Sequence, residues 1–405
     1  MSSPTTAPNM VPPAPRPASP AATAAAPAPA PFATPALLAA MLKTSGKISD
    51  LFFTPGKPPL VEISGKLAPA GTTRVLTCDD TRRIASDLIG NNQHAIDNLK
   101  EVGSCDVSYS LSGAHRFRVN IFMQRGSCAV VMRVIPVEIP DFDALHLPAE
   151  LKKIVDLRNG IVLVTGPTGS GKSSTLAAII DRINIQQSYH VLTIEDPIEF
   201  LHPHKNCIVN QRELHSDTPN FALALRGALR QAPKVILVGE MRDKETIEIA
   251  MEAAETGHLV LSTLHTIDAS KTVERIVGVF PMAEQHTLRS RLAKSFRYIV
   301  SQRLAPRKDG AGRMAIIEIL KSTLRTREYV EKGESDGKTL LDAMRVGGEE
   351  GMQTFDGDIE RLIREGILDM ETGLAYATNP GNLQLDISDL KLEAEADPML
   401  ETSAP

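Results

Sequence analysis

The sequence predicts an α/β protein in two parts: a small domain with an antiparallel sheet, then a larger one whose mostly parallel sheet is covered by helices on both faces. Three observations point there. Before about residue 136, short β-rich runs are separated by glycine-bearing turns. From about residue 149 onward, apolar strands alternate with helical stretches, the texture of βα units. The third is Gly166-Pro167-Thr168-Gly169-Ser170-Gly171-Lys172-Ser173, which fits G-x-x-x-x-G-K-[ST] and directly follows an apolar run at residues 161–164. Strand, loop and helix in that order suit a loop that wraps a nucleotide phosphate.

Residues 1–34 are dominated by Ala, Pro, Thr and Ser, which bury too little apolar surface to offset the entropy of ordering; a disordered leader is expected. Its prolines interrupt any apolar core and no basic residue precedes Arg16, so it does not read as a secretory signal. The first domain is expected at residues 35–136, with a helix at 37–42, strands at 50–53 and 60–63, and a helix at 79–89. Three further strands follow at 106–111, 117–122 and 129–135, turning at Gly113 and Gly126. Residues 137–148 hold Pro140 and Pro148 and read as a linker. The second domain, 149–390, is expected to carry strands at 161–164, 191–194, 235–238 and 259–264. Residues 283–304 and 341–367 show i, i+3, i+4 apolar spacing and read as helical. An acidic tail, 391–405, closes the chain.

Composition removes several function classes. The net charge of −5 gives no reason to expect nucleic acid as a partner, and no run of 18 apolar residues suggests membrane insertion. Cys78, Cys105, Cys128 and Cys207 form no C-x-x-C pair, which argues against a zinc module or a disulfide framework and fits a reducing cytoplasm.

In the phosphate loop the glycines let successive N–H groups converge on an anion, and the following helix N-terminus adds partial positive charge. Lys172 is expected at the β- and γ-phosphates of ATP and Ser173 on the Mg2+ that neutralises them, with Ser174 completing the loop. Polar residues cluster where the other strands end: Glu195, Asp196 and Glu199, then Glu240, then His265. Ligands of open α/β sheets bind outside the carboxyl ends of the strands, so these groups should converge on Lys172.

These residues fall in four motifs: Gly166-Pro-Thr-Gly-Ser-Gly-Lys-Ser-Ser-Thr175, Thr193-Ile-Glu-Asp-Pro-Ile-Glu-Phe200, Val235-Ile-Leu-Val-Gly-Glu-Met-Arg-Asp243 and Gly257-His-Leu-Val-Leu-Ser-Thr-Leu-His-Thr266. In that order they resemble the secretion ATPases that power type IV pili, and the PilT/PilU group of retraction motors in particular. Asp50-Leu-Phe-Phe-Thr-Pro-Gly-Lys-Pro-Pro59, Arg116-Phe-Arg-Val-Asn120 and Gly351-Met-Gln-Thr-Phe-Asp356 extend the likeness over roughly residues 35 to 390. The resemblance implies a PAS-like first domain and a RecA-like ATPase domain with C-terminal helices. It also implies a cytoplasmic homohexamer that works on the inner-membrane platform protein to retract pili.

By the same resemblance, Glu199 orients or deprotonates the attacking water and Glu240 holds the metal's water shell. Glu195 is placed near the metal, while Asp196 serves the turn before Pro197; either carboxylate could cap that turn. His265 is expected to sense the γ-phosphate and His258 to link a neighbouring subunit. Arg118 and Arg133, from the first domain, resemble residues that relatives present to phosphate, with Arg116 and Arg125 as alternatives. Arg242 is as readily an ion-pair partner of Asp243 or a neighbouring carboxylate. Retraction motors carry an Ala-Ile-Arg-Asn-Leu-Ile-Arg-Glu signature, whereas this chain has Thr323-Leu-Arg-Thr-Arg-Glu-Tyr-Val-Glu-Lys-Gly333. That departure keeps open an accessory motor that binds ATP and docks on a companion, paralogous ATPase.

Overall fold

Alternation of buried and outward side chains builds the first sheet. Along the strand His115–Gln124, Phe117, Val119 and Ile121 are buried while Arg116, Arg118 and Asn120 turn to the other face. The computed structural model describes residues 33–111, 115–136 and 138–389. The expected leader, apart from its last two residues, the turn at Gly113, Val137 and the acidic tail lie outside them. Six strands form this sheet: β1 (Ile48–Phe53), β2 (Leu60–Ile63), β3 (Lys66–Pro69), β4 (Ser104–Leu111), β5 (His115–Gln124) and β6 (Ser127–Ile135). Their order is β3-β2-β1-β6-β5-β4, with every neighbouring pair antiparallel.

Helices Cys78–Ile89 and Gln93–Glu101 pack their apolar residues on one face of the sheet. A capping box at Thr77 and Asp80 starts the first, and Asn92 caps the second. The opening helix spans Thr34–Leu42, and Thr34 donates from Oγ1 to Asp87 Oδ2 at 2.6 Å. This helix thus begins at Thr34, three residues before the start expected for it.

The second sheet contains β7 (Gly160–Thr165), β8 (His190–Glu195), β9 (Ile208–Glu213), β10 (Val235–Val238), β11 (Leu259–Leu264), β12 (Phe296–Pro306) and β13 (Arg313–Lys321). In the order β13-β12-β7-β11-β10-β8-β9, all neighbours from β12 to β9 are parallel and β13 is an antiparallel edge. β7 and β10 are buried at every residue, as strands covered on both faces must be. Among the described residues no helix is long and apolar enough to cross a membrane.

Two stretches differ from their sequence reading. The helix expected over residues 283–304 stops at Ser295, and Phe296–Pro306 is a strand inserted between β7 and β13. Leu292, Phe296 and Ile299 continue a helical spacing by coincidence, but Phe296-Arg-Tyr-Ile-Val-Ser is rich in aromatic and β-branched residues, and an open edge of β7 captures it. The stretch 341–367 is likewise broken, into helices Leu340–Val346 and Phe355–Arg364. Gly351, at φ 85°, turns the chain between them against the Glu150 side chain. β3, β9, β13 and the Gln93–Glu101 helix went unread.

Glu318 on β13 is 3% exposed and accepts from the Ala269 backbone N–H at 2.8 Å. Burial pushes its carboxyl up to about 7, opposed by that N–H and aided by Asp268. Because the folded value is raised, the stabilisation is complete below the ordinary carboxylate range and is lost as pH rises through about 7. Between about pH 5 and about pH 8, wild-type stability should fall relative to Glu318→Gln by on the order of 2 kcal/mol, read from denaturant midpoints. A pH-independent difference would contradict the assignment.

Candidate active site

β7 delivers the phosphate loop to the carboxyl edge of the sheet, where backbone crowding dictates its composition. At Gly166, φ 142°, a Cβ would collide with the Gln302 carbonyl and the Ser170 hydroxyl; at Gly171, φ 90°, it would strike the Gln302 side chain. Gly169, φ 80°, faces open space. Gly171 then opens the Lys172–Gln186 helix, whose Thr175 hydroxyl donates to Gln302 Oε1 at 2.8 Å. Lys172 Nζ curls back onto the Gly166 and Pro167 carbonyls at 2.8 and 3.0 Å. The Ser170 hydroxyl is buried without a hydrogen-bond partner.

The strand ends converge as expected on a cleft of about 610 Å³ lined by Thr168, Gly169, Gly171, Lys172, Ser173 and Ser174 on one side. Glu195, Asp196, Glu199, Glu240, Arg242 and His265 line the other. Gly166 and Ser170 are buried within the loop, and Pro167 is exposed away from the cleft lining. A line of polar contacts crosses the floor: Lys172 Nζ stands 3.4 Å from His265 Nδ1, and His265 Nε2 stands 3.5 Å from Glu240 Oε2. These partners select the imidazole tautomer with its proton on Nε2. Glu240 Oε1 pairs with Arg242 Nε at 2.6 Å. Of the carboxylates expected beside it, Arg242 thus pairs with the neighbouring Glu240, while Asp243 caps the Lys244–Glu255 helix through Thr246.

Burial holds the Lys172 ammonium below its usual range, against the opposing pull of Glu240. Burial likewise raises the Glu195 carboxyl, although the Thr193 hydroxyl at 2.6 Å and Gln211 Nε2 at 3.0 Å donate to it.

Two calls on the first domain resolve differently. Arg118 and Arg133 are paired across β5 and β6, on the sheet face turned away from the helices. Arg118 Nη1 comes to 4.0 Å from Glu199 Oε1, both half exposed, whereas Arg133 Nε binds Asp50 Oδ1 at 2.9 Å; neither arginine is part of the cleft lining. Arg125, at φ 48°, occupies the turn between β5 and β6. His258 donates from Nδ1 to the Ala253 carbonyl at 2.9 Å within its own chain. Sequence reasoning missed Gln302 and Arg313, because the strands that carry them were read as helix or left unread. Pro136, at the end of β6, also borders the cleft.

The residues fit a nucleoside triphosphate. The orphaned Ser170 hydroxyl, the open space at Gly169, the helix N-terminus and the buried Lys172 together form an anion cradle. Among the described residues no three His, Cys, Asp or Glu side chains are grouped to hold a metal on their own. A magnesium ion in such a site takes part of its shell from phosphate oxygens and water.

Residues 103–372 match the type II/IV secretion system protein family. The chain is 42% identical over 334 residues to the type IV pilus retraction ATPase PilT of Pseudomonas aeruginosa, covering 82% of this chain and 95% of that protein. It is 40% identical over 361 residues to the type IV pilus ATPase PilU of the same organism, covering 89% and 92%. A crystal structure of the pilus retraction motor PilT with bound ADP superposes with a TM-score of 0.74 at 41% identity, covering 84% of this chain and 95% of that one. With its phosphate loop and strand-end carboxylates sharing one cleft, the chain is an ATPase that belongs to the type II/IV secretion system protein family, in the group of PilT and PilU.

Proposed function

We propose that this chain forms a cytoplasmic homohexamer at the inner face of the cytoplasmic membrane and hydrolyses MgATP to retract type IV pili through the inner-membrane platform protein. The observation that supports it best is the meeting of Lys172, Glu240, His265 and Glu199 in one cleft, in a chain that aligns with 95% of the length of PilT.

Transfer of a phosphoryl group to water needs positioned groups and neutralised charge more than covalent chemistry. Lys172 exchanges its two carbonyl partners for phosphate oxygens. Bound magnesium neutralises phosphate charge, and Ser173, Glu240 and Glu195 are the side chains to hold it or its water. Glu199, exposed on its loop, orients the water and accepts its proton. His265, already between Lys172 and Glu240, registers whether a γ-phosphate has drawn Lys172 away. Arg118 and Arg133 supply cationic forks to phosphate when the first domain closes on a site.

A second reading, an accessory motor docked on a paralogous ATPase, is favoured by the nearly equal identity to PilU and by the departure at residues 323–333. There the chain forms a helix, Leu324–Lys332, with Leu324 87% exposed.

Replacing Glu240 with Gln should leave nucleotide binding within about twofold while ATP turnover falls by about a hundredfold or more, measured on the purified chain by phosphate release. In a strain whose chromosomal copy carries Glu240→Gln, electron microscopy should show excess surface pili. An unchanged number would put the accessory reading ahead.

A further inference from the structure

We infer that Arg116 is a positioning residue for hydrolysis, acting from the first sheet through Glu213 on the backbone of the loop that carries Glu199. This rests on the role proposed for Glu199 and adds the device that holds it in place.

Glu199 lies between two anchored neighbours. Ile198 donates its backbone N–H to Glu213 Oε2 at 3.0 Å, and the Phe200 carbonyl accepts from Gln211 Nε2 at 2.8 Å. Both anchors come from β9, whose register places Glu213 beside Glu195 at the end of β8. Glu213 is 3% exposed and its own N–H is bound to Asp217 Oδ2 at 2.8 Å, so it has little freedom to move.

The ion-pair partner of this buried carboxylate is Arg116. Its Nη2 donates to the same Glu213 Oε2 at 2.7 Å, and its Nη1 to Ser110 Oγ at 3.2 Å on the neighbouring strand β4. A buried charge that loses its partner is costly and either protonates or turns toward water. Either response would release the Ile198 N–H and the loop with it.

The contrast with Arg118 is instructive. Two residues further along β5 and on the same face, it reaches Glu199 itself, but at 4.0 Å between half-exposed groups, a contact of small energy. Nearby, the His94 and His215 rings stack at 4.7 Å, and Asn92 Nδ2 donates to the His215 carbonyl at 3.4 Å. The first sheet and its helices therefore meet the end of β9 at several points, of which the Arg116–Glu213 pair is the buried one.

The test uses the purified full-length chain. Steady-state ATP hydrolysis gives kcat and KM, and equilibrium binding of a fluorescent ATP analogue reports nucleotide affinity. Arg116→Ala should lower kcat about tenfold or more with analogue affinity within about twofold, because the phosphate loop is untouched. Glu213→Gln should behave alike, and Arg116→Ala combined with Glu213→Gln should fall no further than the worse single variant. Wild-type kcat in Arg116→Ala, or losses that multiply in the double variant, would overturn the inference. If thermal melting shows that Arg116→Ala does not fold, the near-isosteric Glu213→Gln carries the test, and wild-type kcat there overturns it too. Glu199→Gln separates the two readings. Full turnover in that variant removes the proposed role of Glu199, whereas an inactive Glu199→Gln beside a fully active Arg116→Ala overturns only the role of Arg116.

Discussion

The passage of β12 beside the phosphate loop constrains more of this structure than any other contact. Gln302 presses its carbonyl toward Gly166 and its side chain toward Gly171, while accepting from Thr175 in the first turn of the helix beyond. Side chains at either glycine are excluded, so the loop can only take the tight path that points its N–H groups at one place. The parallel pairing of β7 with both β11 and β12 fixes where that path begins. Thr165, the last residue of β7, adds a buried hydroxyl contact to Ser301 at 3.1 Å.

On that frame the electrostatics follow from desolvation. Lys172, His265, Glu240 and Arg242 alternate in chemistry along one line, each close enough to the next to limit the cost of removing charge from water. Arg242 is largely exposed, so the chain of contacts runs from a buried ammonium outward to solvent. Phosphate oxygens compete for the buried end.

The phosphate loop, the strands around it and the carboxylates at their ends were legible because their signals are local: glycine spacing, apolar runs of strand length, and polar residues just past them. The first sheet was read from β-rich runs between glycine-bearing turns, although β3, four residues on an edge, is too short and too exposed to announce itself. β12 was misread because Phe296 to Val300 satisfies two periodicities at once, and only the vacant edge of β7 decides between them. Losing β12 hid Gln302. Arg116 was weighed as a phosphate ligand, since nothing local reveals that its partner lies 97 residues on, in a strand that was itself unread.

β12 also reaches the C-terminal helices. Gln302 faces the phosphate loop, and its neighbour Arg303 lies over the Phe355 ring at 3.8 Å and donates to the Tyr376 carbonyl at 2.5 Å and to Thr378. Adjacent residues of a strand point to opposite sides, so these two duties depend on parity. Deleting or inserting a single residue between Phe296 and Gln302 would exchange them, sending a guanidinium into the nucleotide cleft and an amide into the apolar helical layer. The length of this strand is therefore as tightly specified as the residues it carries, and natural variation here is expected as substitution or as paired length changes.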